Sequence, residues 1–277
     1  MTRLQCDGVA LGVEQAGSGT PLVLVHGGWT DRSTWDPVFP MLSGHFRAIR
    51  YDRRGYGESQ RPGARLSQHA ADLLALIRTL GLERVILVGN SFGAAVALRA
   101  ALAQDGAISL VVAHEPPLFE MLEAEPRHSA LAARIRAAVG GTLEAVRNRD
   151  YELAARRYVE GVTSCSGAWQ YLPASLQQSF VENAPVFLDE AGNFGDFGLE
   201  ASELRRCAER LVITRGGRSS PYLRFIAEAL SAALPEARAH VFSGAGHVPH
   251  ASCPDEFVAR LLDFAAEASL RTTQGEG

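Results

Sequence analysis

Apolar residues in this chain fall into two alternating textures. Short continuous runs occur at 21–27 (PLVLVHG), 46–55 (FRAIRYDRRG), 84–91 (RVILVGNS), 108–117 (ISLVVAHEPP), 210–216 (RLVITRG) and 237–247 (ARAHVFSGAGH). Runs without polar alternation predict strands buried on both faces, as in a parallel sheet. Between them the spacing turns helical. SQHAADLLALIRTLG (67–81) reads as a helix with Ser67 as N-cap, an apolar stripe of Leu73, Leu76, Ile77 and Leu80, and Gly81 at its end. FGAAVALRAALAQDG (92–106), SPYLRFIAEALSAALP (220–235) and PDEFVARLLDFAAEA (254–268) repeat the texture. Alternating strands and helices predict an α/β fold. LQCDGVALGVEQAG (4–17) predicts an antiparallel hairpin leading into it.

From about 118 to 205 the alternation stops and the pattern is helical throughout. The expected organisation is a core of 1–117 and 206–270, interrupted by a helical insertion at 118–205. A disordered tail is expected at 271–277, where TTQGEG offers nothing to bury.

Composition narrows the class. The 277 residues are 47% hydrophobic, enough for a sizeable core, with a net charge of -4. No basic patch or global field favours a nucleic-acid partner. All 27 basic residues are arginine, which excludes a Schiff-base lysine and a phosphate-loop lysine. Cys6, Cys165, Cys207 and Cys253 are too scattered for a zinc site or a disulfide framework, so free thiols in a reducing compartment are expected. The first residues lack an apolar signal core and no run of 18 apolar residues occurs. The expectation is a soluble cytoplasmic protein, monomer or homodimer, with no membrane partner.

The chemistry gathers at GNSFG (89–93), a G-x-S-x-G pattern with a strand before it and a helix directly after. So tight a turn requires small flanks, hence Gly89 and Gly93, and presents the Ser91 hydroxyl at a helix N-terminus.

With this motif the chain resembles the α/β-hydrolase family over nearly its whole length. LVLVHGGW resembles the family's oxyanion loop, YDRRGYGES its turn after the next strand, and GNSFG its nucleophile elbow; GAGHVPH followed by PDEF resembles its histidine loop and last helix. The resemblance implies a mostly parallel central sheet flanked by helices, with 118–205 as a helical cap. It implies Ser91 as nucleophile and His247 as base, with His250 as the rival histidine. The oxyanion would be held by the backbone N–H groups of Gly28 and Phe92. His26 is expected to be structural, and Asp52 and Arg54 to hold their own turn. No cofactor and no metal are implied.

The chain departs from the family at the triad acid. The usual position, in the turn after the strand at 210–216, holds Ser219 and Ser220. Serine cannot supply the charge that stabilises an imidazolium. Glu115, at the C-terminal end of an inner strand, is the available replacement, since such ends line the crevice of an open sheet. Some haloalkane dehalogenases of this fold carry the acid there. The alternatives are a purely structural Glu115 and a bare Ser–His dyad. Trp29, Phe119, Trp169, Tyr171, Phe187 and His250 are candidates to line a substrate pocket. The functional expectation is a serine hydrolase cleaving an ester, thioester or lactone of a small apolar molecule through an acyl-enzyme. The same fold leaves open a cofactor-free haloperoxidase, a C–C bond hydrolase, a biosynthetic cyclase, or a non-enzymatic ligand-binding protein derived from a hydrolase.

Overall fold

The computed structural model describes residues 2–59, 65–103, 106–191 and 199–275, with backbone alone for 271–275. Eight strands form one sheet: β1 (Thr2–Cys6), β2 (Val9–Ala16), β3 (Pro21–Val25), β4 (Arg47–Tyr51), β5 (Val85–Asn90), β6 (Ile108–His114), β7 (Leu211–Gly216) and β8 (Arg238–Phe242). Their order is β1-β2-β4-β3-β5-β6-β7-β8. The β1–β2 and β2–β4 pairs are antiparallel. From β4 to β8 every neighbouring pair is parallel.

The helices are α1 (Phe39–Ser43), α2 (Leu66–Thr79), α3 (Phe92–Ala103), α4 (Phe119–Glu123), α5 (Ser129–Arg147), α6 (Tyr151–Thr163), α7 (Ala174–Asn183), α8 (Phe187–Ala191), α9 (Ala201–Leu204), α10 (Pro221–Ala233), α11 (Pro249–Ser252) and α12 (Pro254–Gly275).

The continuous apolar runs are explained by two cores, one on each face of the sheet. Val23, Val25, Val85, Leu87, Val111 and Ala113 face α2, α3 and α10. The alternate residues Leu22, Leu24, Ile86, Val88, Leu110 and Val112 face α1 and α12. A strand covered on both sides has no polar position to spare, so its period-2 signal disappears. α3 is nearly all Ala and Gly because it lies directly on the sheet, where larger side chains would hold it off.

Between β6 and β7 the chain is helical, from α4 to α9, and carries an apolar cluster of its own. This cluster includes Val146, Ala155, Val159, Trp169, Phe180 and Phe187, with Trp29 from the core inserted among them. Burying an indole there is worth a few kcal/mol and fastens the insertion over the C-terminal edge of β3.

Two local expectations change. α2 starts at Leu66, with Arg65 outside it, so Ser67 lies in the first turn instead of capping it. Gln68 accepts the Arg65 backbone N–H at 3.1 Å, which satisfies that end without a serine cap. α12 runs on to Gly275, so much of the stretch expected as a disordered tail is helical backbone; residues 276–277 lie outside the described residues. An established helix extends cheaply, one hydrogen bond per residue, even through a polar sequence.

Candidate active site

Only Ser91 separates the end of β5 from the start of α3, and it takes φ +54°. Its N–H is held by His114 O at 2.8 Å, and its carbonyl accepts the Ala94 N–H at 2.8 Å. The flanking glycines are steric requirements. A β-carbon on Gly89 would stand 2.4 Å from Gly93 O, and one on Gly93 would stand 2.2 Å from Val25 O. The strained turn is thus over-determined by its neighbours, and Ser91 sits at the positive end of a 12-residue helix.

One strand over, β6 ends at His114, and Glu115 also takes a left-handed backbone, φ +47°. Its N–H extends the ladder to Thr214 O at 3.0 Å, while its side chain swings across the end of β7. Oε1 accepts the Gly216 N–H at 2.8 Å and Oε2 accepts the His247 Nδ1–H at 2.6 Å. The carboxylate is fully buried. Burial alone would raise its pKa, but the hydrogen bond from His247 and the charges of His114 and His247 outweigh that and hold it at about 2. It is therefore an anion at neutral pH.

His247 follows β8 on a loop whose carbonyl at 247 accepts from Asn90 Nδ2 at 2.8 Å, tying the loop to the residue before Ser91. With Nδ1 engaged by Glu115, its Nε2 is left for the cavity that both His247 and Ser91 line. His114 lies beside the pair, its Nδ1 2.9 Å from Thr214 Oγ1. Burial, against the attraction of Glu115, holds its pKa at about 4, so it is neutral. Ligand-capable atoms of His114, Glu115 and His247 lie within 4.8 Å of one another. Both Glu115 oxygens are already occupied by N–H donors, so this cluster is a hydrogen-bonded set.

Ser219 and Ser220, the usual acid position, are buried. The turn that carries them is closed onto the histidine loop by Gly217 N–H to Phe242 O and Arg218 N–H to Ala245 O, both 2.9 Å. A β-carbon on Gly216 would meet the Ser219 hydroxyl at 2.6 Å. With the Glu115 carboxylate already bonded to Gly216 N–H, a second carboxylate at 219 would face a buried like charge.

The loop after β3 forms another wall. His26 donates Nδ1–H to Gly27 O at 2.8 Å and accepts the Arg53 N–H on Nε2 at 2.9 Å, which defines a neutral tautomer holding the loop. Burial, then Arg53, pushes its pKa well down. Gly28 and Phe92, the two residues expected to supply oxyanion donors, both line the cavity. Asp52 accepts the backbone N–H groups of Arg32 and Glu58, and Arg54 grips Asp72 with two nitrogens.

The predicted pocket residues divide. Trp29, Phe119 and Phe187 line the cavity, with further apolar walls from Ile135, Val139, Val162 and Leu223 and polar side chains from Thr142 and Arg157. Trp169 is buried in the cluster of the inserted helices instead. Tyr171, two residues on in the same 3-10 turn, is 87% exposed, because that short turn can bury only one of its two rings. His250 also leaves the pocket. It is fully buried, its ring tilted against Trp35 with centroids 4.3 Å apart and Nε2 3.1 Å from Thr34 Oγ1.

Sequence reasoning missed Tyr158 and Glu190, which the inserted helices bring to the cavity. Glu190 Oε1 pairs with Arg53 at 2.5 Å and with His69 Nε2 at 3.2 Å, and Oε2 accepts the Tyr56 hydroxyl at 2.8 Å. Arg53 and Tyr56 come from the YDRRGYGES stretch, so half of this network was visible as a motif. Glu190 carried no signal.

The model of the alpha/beta hydrolase family matches residues 22–260. The chain belongs to the alpha/beta hydrolase family. 2-Hydroxy-6-oxo-2,4-heptadienoate hydrolase of Pseudomonas putida is 41% identical over 101 residues, 34% of this chain and 37% of that enzyme. 2-(Acetamidomethylene)succinate hydrolase of Mesorhizobium japonicum is 34% identical over 137 residues, 49% of this chain and 48% of that enzyme. The chain thus spans less than half the length of either relative. A longer, weaker match joins it to pimeloyl-[acyl-carrier protein] methyl ester esterase of Yersinia pseudotuberculosis, 26% identical over 251 residues, 89% of this chain and 93% of that enzyme. Among solved structures, a thermophilic esterase from Thermogutta terrifontis shares the fold with a TM-score of 0.78 at 22% identity, covering 97% of this chain and 99% of that one. No helix among the described residues is long and apolar enough to cross a membrane.

Proposed function

We propose that this protein is a serine hydrolase that cleaves an ester, thioester or lactone of a small apolar molecule through an acyl-enzyme. The observation that carries the reading is the Glu115–His247 hydrogen bond, with His247 lining one cavity together with a left-handed Ser91, Gly28 and Phe92. Ser91 Oγ attacks the substrate carbonyl while His247 Nε2 takes its proton. The buried Glu115 anion fixes the tautomer and stabilises the imidazolium that forms. The N–H groups of Gly28 and Phe92 receive the charge on the carbonyl oxygen. Collapse of the tetrahedral intermediate expels the alcohol or thiol, which takes the proton from Nε2. Water, activated by the same histidine, then attacks the acyl-Ser91 carbonyl and releases the acid.

The walls limit the substrate. Ile135, Val139, Val162 and Leu223 offer an acyl or alkyl group no hydrogen-bond partners but considerable apolar surface. A serine at position 91 suits acyl transfer; displacement of halide from carbon by the enzyme itself calls for a carboxylate nucleophile in its place. The test is a fluorophosphonate probe with a panel of p-nitrophenyl esters of increasing acyl length. Stoichiometric labelling lost in Ser91→Ala, together with loss of ester turnover, is the expected result. Full turnover by Ser91→Ala would overturn the nucleophile and favour a templating or binding role for the cavity.

A further inference from the structure

Tyr158 lies on α6, in the helical insertion. Its ring stacks on Trp29, with centroids 4.6 Å apart and planes at 17°, and meets Phe187 edge-on at 5.8 Å. Aromatic contacts on two sides fix the plane of the ring and therefore the line along which its hydroxyl points. That line ends at Gly28. A β-carbon built there would stand 3.3 Å from the Tyr158 hydroxyl, so the phenol occupies the space that the missing side chain leaves. Gly28 is also the residue to which the proposed mechanism assigns one oxyanion N–H.

The hydroxyl has no hydrogen-bond partner among the described residues. Glu190 Oε2 stands 3.5 Å from the same built β-carbon and accepts the Tyr56 hydroxyl at 2.8 Å. Burial, with Tyr222 and Glu190 as neighbours, pushes the phenol well above the ordinary tyrosine range, so it keeps its proton at any working pH. The nearby Glu190 anion is balanced by the Arg53 guanidinium, so the phenol stands as a neutral O–H donor at the wall where the proposed mechanism develops negative charge.

We propose that Tyr158 is a third oxyanion donor, giving its phenolic hydrogen bond to the substrate carbonyl oxygen as charge develops there. The proposal rests on the serine hydrolase reading above. It also makes the inserted helices part of the reaction, since the donor is correctly placed only while α6 sits over Gly28.

The experiment compares wild type, Tyr158→Phe and Ser91→Ala. Phenylalanine keeps both ring contacts, so the thermal midpoint should hardly move. Turnover of p-nitrophenyl butyrate should fall on the order of 10²-fold in kcat, with KM little changed, as for removal of one oxyanion donor. A trifluoromethyl ketone, which adds Ser91 to give a stable tetrahedral oxyanion, should weaken by a similar factor, while butyrate, the acid product, should bind as before. A purely structural Tyr158 would instead lower the thermal midpoint and weaken ketone and acid alike. Wild-type kcat and ketone affinity in Tyr158→Phe, with Ser91→Ala inactive, would overturn this inference and leave the hydrolase reading standing. A defect seen with ethyl butyrate but absent with the activated p-nitrophenyl ester would also overturn it, because it would assign Tyr158 to the leaving group. Turnover retained in Ser91→Ala would overturn the reading beneath both.

Discussion

The Glu115 carboxylate lies 2.6 Å from His247 Nδ1 across 132 residues of chain, and its other oxygen is held by the Gly216 N–H. The acid therefore sits just past the end of β6, while the last residue of β7 supplies a backbone donor and the turn after it two serines. In Glu115→Gln the amide keeps the shape but loses the charge and can favour the wrong histidine tautomer. kcat should fall by roughly 10² to 10⁴, with substrate binding little altered, by analogy with the same change in a serine protease triad. Steady-state kinetics on a p-nitrophenyl ester check this. A loss under tenfold would mark Glu115 as structural. Adding Ser219→Asp to the Glu115→Gln variant should restore part of the rate, whereas Ser219→Asp alone should destabilise the fold by placing two buried carboxylates together.

The two histidines of the loop should separate cleanly. His247→Ala should cost as much activity as Ser91→Ala, and the double variant scarcely more, because such residues act as a unit. His250→Gln should leave kcat within a few-fold of wild type, since that ring packs on Trp35 outside the cavity. A larger activity loss at His250 than at His247 would reverse the assignment.

Acid should destabilise the fold through several groups acting in one direction. His250 and His114 have pKa values held down to about 3 and about 4 by burial, against about 6.5 in an unfolded chain. Between those values the unfolded chain binds the extra protons, so stability is fully present above about pH 6.5 and is lost as pH falls. Glu115, at about 2 when folded, adds a loss of the same sign below about pH 4.5. Thermal unfolding from pH 7 to pH 4 should show a falling midpoint, and His250→Gln should flatten the slope. A midpoint independent of pH across this window would contradict the buried neutral histidines.

Glu190 is the charge that keeps Arg53 buried, and the two side chains are 3% and 0% exposed. Glu190→Gln should destabilise by about 3–5 kcal/mol, because it leaves a buried guanidinium uncompensated. The double variant Arg53→Met with Glu190→Leu should be less damaged than either single change. Denaturant unfolding of wild type, Arg53→Met, Glu190→Leu and the double variant measures the coupling. Additive losses would mean that the pair does not act as one.

What the chain determined by itself is what depends on near neighbours. The β5 run, the Gly89 and Gly93 flanks and the small-residue α3 specify the elbow, because the sterics of one tight turn are local. Apolar runs without alternation announced strands covered on both faces for the same reason. Glu115 was legible as a charged residue at a strand end. That its partner would be His247 was decided when β7 and β8 added beside β6 and brought the histidine loop over it. Tyr158 and Glu190 had no signature, since a tyrosine or glutamate on an amphipathic helix reads as ordinary half-buried surface until the helix docks. Trp169 and Tyr171, both expected in the pocket, lie elsewhere, because which of two nearby rings is buried, and in which cluster, depends on what packs over the turn. Periodicity and steric rules act over a few residues. The cavity is made from helices and strand ends far apart in sequence, so only the tertiary packing of the insertion over β3 and β5 could choose its lining.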